Sequence, residues 1–208
     1  MNVLQRVSRV AEKIAPGRSP SFVEAHVIKA IEEIALYGDV GRMKLSRDLE
    51  LGEGETRTLI KHLKSEGLIE VSKSGIALSP SGRKVLSGLR ALVSEAIEIP
   101  STPLTVGPSN VAVRVKGGEG FIKYGLEQRD AAMMAGAKGA TTLVFAKGRL
   151  TMAGTIEDVS KNYPQILSSL SKIGLDEGDV VIIGSADEMI KAELGAKTAA
   201  LELFKLKP

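Results

Sequence analysis

The 208-residue chain contains no cysteine and only two histidines, His26 and His62. The lack of cysteine excludes disulfides, thiolate zinc sites, iron–sulfur clusters and cysteine nucleophiles. Two histidines argue against imidazole-rich metal sites and against most histidine-dependent catalysis. We therefore predict a protein that is not an enzyme, with no catalytic residue, no metal and no cofactor.

Aromatic residues are also scarce, since they make up 3% of the chain and tryptophan is absent. Proteins that bind RNA or single-stranded nucleic acid stack bases on aromatic side chains. Among nucleic acids, this composition therefore favours double-stranded DNA as a partner.

Long hydrophobic runs are missing as well. No apolar run reaches the length that crosses a bilayer, and the first residues, MNVLQRVSRVAEK, have no apolar signal-peptide core. The hydrophobic fraction of 43% and charged fraction of 25% are those of a globular protein. We expect a cytoplasmic protein with no membrane partner.

What the chain does carry is an uneven distribution of charge, although its net charge is only +3. Residues 21–54 contain four Lys or Arg against seven Asp or Glu. Residues 55–90 contain seven Lys or Arg against three Glu. Positive charge is therefore concentrated in the second segment, as expected of a nucleic-acid-binding surface.

Residues 44–78 predict a short helix, a glycine-bearing turn, a second helix over residues 53–65, and two strands joined by a tight turn. In the second helix, Leu59, Ile60 and Leu63 form one apolar stripe at helical spacing. The opposite face is polar and partly cationic. It contains Gly54, Arg57, Thr58, Lys61 and Ser65, with Lys64 at its edge. Such a helix, supported by a preceding short helix, can lie in the major groove of DNA.

The flanking segments complete a recognisable pattern. A helix is predicted over residues 21–37, the strands over 68–71 and 76–78, and a closing helix over 82–96. Three helices, a hairpin and a closing helix are the order of a winged helix-turn-helix. This N-terminal unit is mainly α, with the β-hairpin as its wing.

The segment ETRTLIKHL at residues 55–63, followed by GLI at 67–69 and SPSGR at 79–83, resembles winged-helix transcriptional regulators of prokaryotes. Together with GLEQRDAAMMAGAKGATTLVF at residues 125–145, it resembles a small archaeal family of regulators. The C-terminal domain of that family has no assigned function. The resemblance implies DNA binding and transcription regulation, and it supplies no effector.

The proposed DNA contacts follow from the cationic helix face and the wing. Arg57 and Lys61 are predicted to face the groove, where Arg can pair bidentately with guanine. Lys73 lies at the tip of the wing. The predicted DNA-binding residues are Ser46, Arg47, Gly54, Arg57, Thr58, Lys61, Lys64, Ser65, Lys73 and Arg83. Alternatively, these charges only solvate an exposed face, or the winged helix is a scaffold that binds protein partners.

The domain organisation is predicted from the element pattern. Residues 1–96 form the winged-helix domain, including an N-terminal helix over residues 3–14 that either packs on its own domain or contacts a second copy. Residues 97–109 hold three prolines and are predicted to be a linker. Residues 110–208 alternate strands and helices and predict an α+β two-layer sandwich, a sheet covered by helices on one face. This domain would dimerise, bind an effector, or both.

Within the second domain, GGEGFIKYGLEQRD at residues 117–130 is a candidate ligand site. Exposed glycine amides and a helix N-terminus can hold an anion such as phosphate or carboxylate. The candidate residues are Lys116, Gly118, Gly120, Lys123, Gln128, Arg129 and Asp130. The alternative is an ordinary strand-to-helix turn and a solvated helix face, and Arg129 and Asp130 could equally form an interdomain or dimer salt bridge.

Taken together, these patterns predict a transcriptional regulator that binds double-stranded DNA through the helix 53–65 and the wing 68–78. It would be a homodimer, because one such helix contacts only a few base pairs and operators are usually two-fold. The C-terminal domain would be the dimerisation or small-ligand-sensing part, with a small anionic effector as its ligand. The remaining alternative is an enzyme with its site in that domain.

Overall fold

A computed structural model describes residues 2–12 and 20–205 of the chain. They form two compact units, which divide between Arg90 and Ala91. Among the described residues, no helix combines the length and the apolar character that a membrane span requires.

The first unit has the predicted winged-helix order. Its elements are α1 Val3–Ala11, α2 Glu24–Tyr37, α3 Arg42–Asp48, α4 Glu53–Ser65, β1 Ile69–Val71, β2 Ile76–Leu78 and α5 Pro80–Leu92. The bounds of α4 are those predicted from its periodicity. Residues 13 and 14 of the predicted first helix lie outside the described residues. The closing helix ends at Leu92, four residues before its predicted end.

Helix α1 packs within its own unit. Its stripe residues Val7 and Val10 are buried, and the helix lies against α2 and α4. A Cβ atom added at Gly88 of α5 would lie 2.6 Å from a methyl group of Val3, so α1 also approaches α5. Of the two alternatives for this helix, packing on its own domain therefore accounts for the apolar stripe.

The wing is a short antiparallel hairpin in which Val71 pairs with Ile76. It is tied to the segment before α3, because Val40 and Ile76 exchange two backbone hydrogen bonds of 3.0 and 2.9 Å. Strand β2 is thus held beside the turn by the segment before α3, while Lys73 in the turn is exposed.

The second unit is an α+β domain, as predicted. Its elements are β3 Ile97–Glu98, β4 Ser109–Val115, α6 Leu126–Met134, β5 Gly139–Ala146, β6 Arg149–Met152, α7 Val159–Asn162, α8 Pro164–Leu170, β7 Asp179–Ala186 and α9 Met189–Lys205. Short 3-10 turns cover Glu119–Phe121 and Ser171–Ile173. The described strands form one antiparallel sheet in the order β3-β4-β7-β5-β6.

The layering differs from the predicted single covered face. Along the central strand β7, Val180 and Ile182 face a cluster with α6 and α9. Val181 and Ile183 face a second cluster with α7 and α8. Because both faces of β7 are apolar, the short helices add a partial third layer to the two-layer sandwich.

The segment predicted to be a linker, residues 97–109, is part of this domain. Ile97 and Glu98 pair with Ala112 and Val111 of β4. Two further residues of the segment, Ile99 and Leu104, are buried in the core. Prolines are tolerated here because they lie between β3 and β4 and not inside a paired strand.

Candidate nucleic-acid interface

Helix α4 is held by a buried stripe that faces the rest of the unit. Leu59 and Leu63 are fully buried, and Thr56 beside them donates a 3.0 Å hydrogen bond from its hydroxyl to the Gly52 carbonyl. His62 is also buried, and its Nδ1 donates a 2.8 Å hydrogen bond to the carbonyl oxygen of Val10. This packing fixes which face of α4 points to solvent.

The opposite face of α4 is open, and it is the face predicted to enter the groove. Gly54, Arg57, Lys61, Lys64 and Ser65 are all exposed. In the described part of the chain, the side chains of Arg57, Lys61 and Lys64 have no hydrogen-bond or ion-pair partner. Their charges are therefore available to an external anion such as a DNA phosphate.

Two further members of this face are smaller and polar. Thr58 is half-buried, and its hydroxyl donates a 3.0 Å hydrogen bond to the Gly54 carbonyl. The Ser65 hydroxyl donates a 2.8 Å hydrogen bond to the His62 carbonyl. Both hydroxyls keep lone pairs that can accept from a ligand, and neither side chain obstructs approach to the helix.

The C-terminal end of α4 is held by α1. The Arg6 guanidinium donates 2.6 Å and 2.7 Å hydrogen bonds to the Glu66 carbonyl and to the Ser81 hydroxyl at the start of α5. The Glu66 carbonyl is one of the acceptors that a helix end leaves without an intrahelical donor. Arg6 thus links the first, fourth and fifth helices, a role that the sequence did not indicate.

Replacing Arg6 by Ala is expected to lower the free energy of unfolding by about 1–3 kcal/mol, because a charged donor to two acceptors is lost. Arg9→Ala is the matched control. The side chain of Arg9 is 53% exposed and its Nε lies 3.7 Å from a Glu66 carboxylate oxygen, so its loss should cost less than ~1 kcal/mol. Urea denaturation of both variants measures the difference, and equal effects would contradict the role given to Arg6.

Arg47 on α3 and Lys73 on the wing are the flanking cations of the open face. Both are exposed, and the described residues provide no hydrogen-bond or ion-pair partner for either side chain. Lys73 sits in a turn closed by a 2.9 Å hydrogen bond from Ser72 N to the Gly75 carbonyl. Exposed cations on α3 and on the wing suit contacts to the phosphate backbone.

Two residues predicted to contact DNA are engaged elsewhere. Ser46 is buried inside α3, which begins at Arg42, and its hydroxyl donates a 2.7 Å hydrogen bond to the Leu51 carbonyl. Its role is to fix the turn between α3 and α4, so we remove it from the proposed contacts. Arg83 is exposed but donates a 2.6 Å hydrogen bond to the Leu78 carbonyl, which leaves only part of its guanidinium for phosphate.

Lys44 is a neighbouring cation whose side chain already has partners within the unit. Its Nζ lies 2.8 Å from a carboxylate oxygen of Asp48 and 3.8 Å from the centre of the Tyr37 ring. The hydrogen bond that Lys44 donates to the Asp48 carboxylate raises the pKa of Lys44 above its ordinary value. Lys44 therefore braces α3 against α2 and does not extend the open cationic face.

In the second unit, the glycine-rich turn does not lead directly into a helix. Gly118 is buried, and a Cβ atom there would lie 2.9 Å from a methyl group of Val180. Gly120 and the nearby Lys116 and Lys123 are exposed. Helix α6 begins only at Leu126. The predicted anion site made of these glycine amides and the helix N-terminus is thus not assembled by this turn.

Gln128 is the member of the predicted ligand set with an unusual environment. It is 1% exposed, yet neither its amide nitrogen nor its amide oxygen has a hydrogen-bond partner among the described residues. Buried Thr142 of β5 likewise has an unpaired hydroxyl. Gly125, one turn before Gln128, has a positive φ of 75° and lies close to Thr142. A Cβ atom added at Gly125 would lie 3.0 Å from the Cβ atom of Thr142. Two unpaired polar side chains therefore lie beneath the start of α6.

Arg129 and Asp130 are on the outside of α6. Their side chains are 51% and 61% exposed, and Arg129 Nη2 lies 3.0 Å from Asp130 Oδ1. The alanines and methionines that follow this charge pair in the sequence predict that it is partly buried. The buried side of α6 is instead that of Gln128 and Ala132, so Arg129 and Asp130 do not share a site with Gln128.

The structure thus defines a winged-helix unit with an open cationic face, joined to an antiparallel α+β domain. Residues 26–93 match a family model described as the CggR N-terminal DNA binding domain. Residues 106–203 match a domain of unknown function, DUF4443. These matches confirm the resemblance to winged-helix regulators with an uncharacterised C-terminal domain, and they support a DNA-binding regulator.

A solved structure of a hypothetical protein from Pyrococcus horikoshii is similar to most of the chain. The two share 25% sequence identity with a TM-score of 0.70, over 90% of this chain and 100% of that one. A comparison with curated proteins finds no match. The similarity extends across both units, which indicates that they occur together in an archaeal relative.

Proposed function

We propose that this protein is a transcriptional regulator that binds double-stranded DNA through α4 and the wing and acts as a homodimer. The observation that supports this most directly is the open face of α4, where exposed Arg57 and Lys61 lie opposite the fully buried Leu59 and Leu63. Arg57 and Lys61 would contact bases. Gly54, Thr58 and Ser65 would allow close approach, while Arg47, Lys64, Lys73 and the free part of Arg83 would contact phosphates.

The test is selection of genomic DNA fragments by the purified full-length protein, followed by titration of a selected fragment at increasing salt. Because each phosphate contact releases counterions, log K should fall steeply and linearly with log salt. Binding that is absent, or that does not change with salt, would contradict the proposal. Salt-independent capture of a protein partner with no DNA binding would favour a protein-binding scaffold instead.

The C-terminal domain would sense a small anionic effector and change the spacing of two DNA-binding units. The unpaired amide of Gln128 and hydroxyl of Thr142 support a polar ligand beneath the start of α6. Exposed Lys123, three residues before that helix, would attract the anion. An effector can act only through different affinities for the two arrangements of the dimer.

Gln128→Met is expected to raise the free energy of unfolding of the ligand-free protein by about 1–3 kcal/mol, because it removes a buried amide that has no partner in the described ranges 2–12 and 20–205. Gln165→Met is the matched control, since Gln165 lies exposed on α8 and should change stability by less than ~0.5 kcal/mol. Thermal and urea unfolding measure both. A destabilised Gln128→Met variant would show that the amide is paired inside the free protein.

A further inference from the structure

The winged-helix unit contains a groove between the C-terminal end of α2, the wing strand β2 and helix α5. Its volume is about 420 Å³, which is within the range of small-molecule sites. Its floor is apolar, because it is formed by Ile34, Leu78 and Leu86, each more than nine-tenths buried. No residue of α4 is among the described residues that line the groove, so it is separate from the proposed base-contacting face.

One wall of the groove is cationic. Arg83, Ser87 and Arg90 of α5 all line it, and their spacing of four and then three residues places them on one side of the helix. Helix α5 contains no acidic residue, and none of the described residues that line the groove is Asp or Glu. A cationic wall beside an apolar floor favours a ligand that has a negatively charged group and an apolar body.

The guanidinium of Arg83 is held in place within the groove. Its Nη1 donates a 2.6 Å hydrogen bond to the carbonyl oxygen of Leu78, which also forms part of the floor. A guanidinium has five N–H donors in a planar fork, and the described residues accept from no other donor of Arg83. The remaining donors can pair with a carboxylate, and a group that is already held loses less entropy when a ligand binds.

We propose that this groove binds a small organic anion, namely a carboxylate that carries an apolar chain or ring. The carboxylate would accept hydrogen bonds from Arg83 and Ser87, beside the positive charge of Arg90. The apolar part would cover Leu78 and Leu86, so the ligand would contact the strand that carries the wing. The site goes beyond the proposed function, because it requires neither DNA binding nor an effector of the second unit.

The experiment is an NMR titration of the isotopically labelled full-length protein with octanoate, in the absence of DNA. Octanoate should cause saturable shifts of amide signals at the groove, including those of Ala77 and Ser87. Octanamide has the same chain without the charge and should bind at least about 10-fold more weakly, because charge-assisted hydrogen bonds are lost. Acetate has the charge without the chain and should bind at least about 100-fold more weakly.

Two pairs of variants test the location of the site. Arg83→Met should weaken octanoate binding by about 10-fold or more. Lys84→Met removes an adjacent exposed cation that does not line the groove and should change binding by less than about twofold. Ala35→Glu places a carboxylate in the groove without removing the hydrogen bond of Arg83, and it should also weaken binding by about 10-fold. Leu36→Glu is its control, since Leu36 is 72% exposed and does not line the groove.

The amide spectrum of each variant shows whether it is folded. The inference is overturned if octanoate causes no saturable shifts at the groove, if octanamide binds as tightly as octanoate, or if folded Arg83→Met and Ala35→Glu variants bind octanoate as the wild type does. These results leave salt-dependent DNA binding untouched, because it is measured separately. Loss of DNA binding with octanoate binding intact would overturn only the proposed function.

Discussion

Arg57→Ala is expected to weaken binding to a selected DNA fragment by about 10- to 100-fold, since a bidentate contact to guanine contributes about 1–3 kcal/mol of discrimination. Arg57 is exposed on α4 and has no ion-pair partner among the described residues. Its loss should affect the selected fragment more than unrelated DNA, so the ratio of the two affinities should fall. Fluorescence anisotropy with both DNAs at one salt concentration measures that ratio.

Lys73→Ala distinguishes a base contact from a phosphate contact. Removing the wing-tip charge should weaken binding to both DNAs by similar factors and reduce the slope of log K against log salt by about 1. Lys84→Ala is the control, because Lys84 is an exposed cation of α5 outside the proposed interface and should leave both affinities unchanged. Equal losses for Arg57→Ala and Lys84→Ala would show that only general charge matters.

Gly184→Ala is expected to destabilise the second unit by about 3 kcal/mol, at the upper end of the usual cost of overpacking a core. Gly184 lies inside β7, where α9 passes directly over it. A Cβ atom at this position would lie 2.2 Å from the carbonyl oxygen of Ala192 and 2.7 Å from the nitrogen of Ala196. Both are backbone atoms, so the helix must move away from the sheet.

The matched control is Gly120→Ala, because a Cβ atom at Gly120 meets nothing within 4 Å and the backbone there is not left-handed. That variant should differ from the wild type by less than ~0.5 kcal/mol. Urea unfolding followed by far-UV circular dichroism compares the two variants. Equal midpoints would contradict the close packing of α9 on β7.

Local periodicity was sufficient to predict the winged helix. Helical spacing alone decides which residues share a face of a helix. It places Leu59 and Leu63 on one side of α4 and polar residues on the other, and so it gives both the bounds of α4 and its exposed face.

Pairing between distant segments was not predictable. The segment 97–109 has the composition of a linker, yet Ile97 gains a strand partner in β4. The second face of the sheet is covered because α7 and α8 pack against it. The local sequence of these two helices does not specify where on the sheet they pack. Strand order and layering are decided by contacts between residues far apart in the chain.

The sequence by itself determined the kind of each DNA-binding element and the location of its positive charge, because both follow from residues within a few turns of each other. Only the tertiary structure decided which polar residues remain available. The Ser46 hydroxyl is hydrogen-bonded within a turn, Arg6 holds the end of α4, and Gln128 is buried with no partner in the part of the chain that the structure describes. The physical reason is that the exposure and pairing of a polar group depend on the elements packed over it, which its own sequence neighbourhood does not encode.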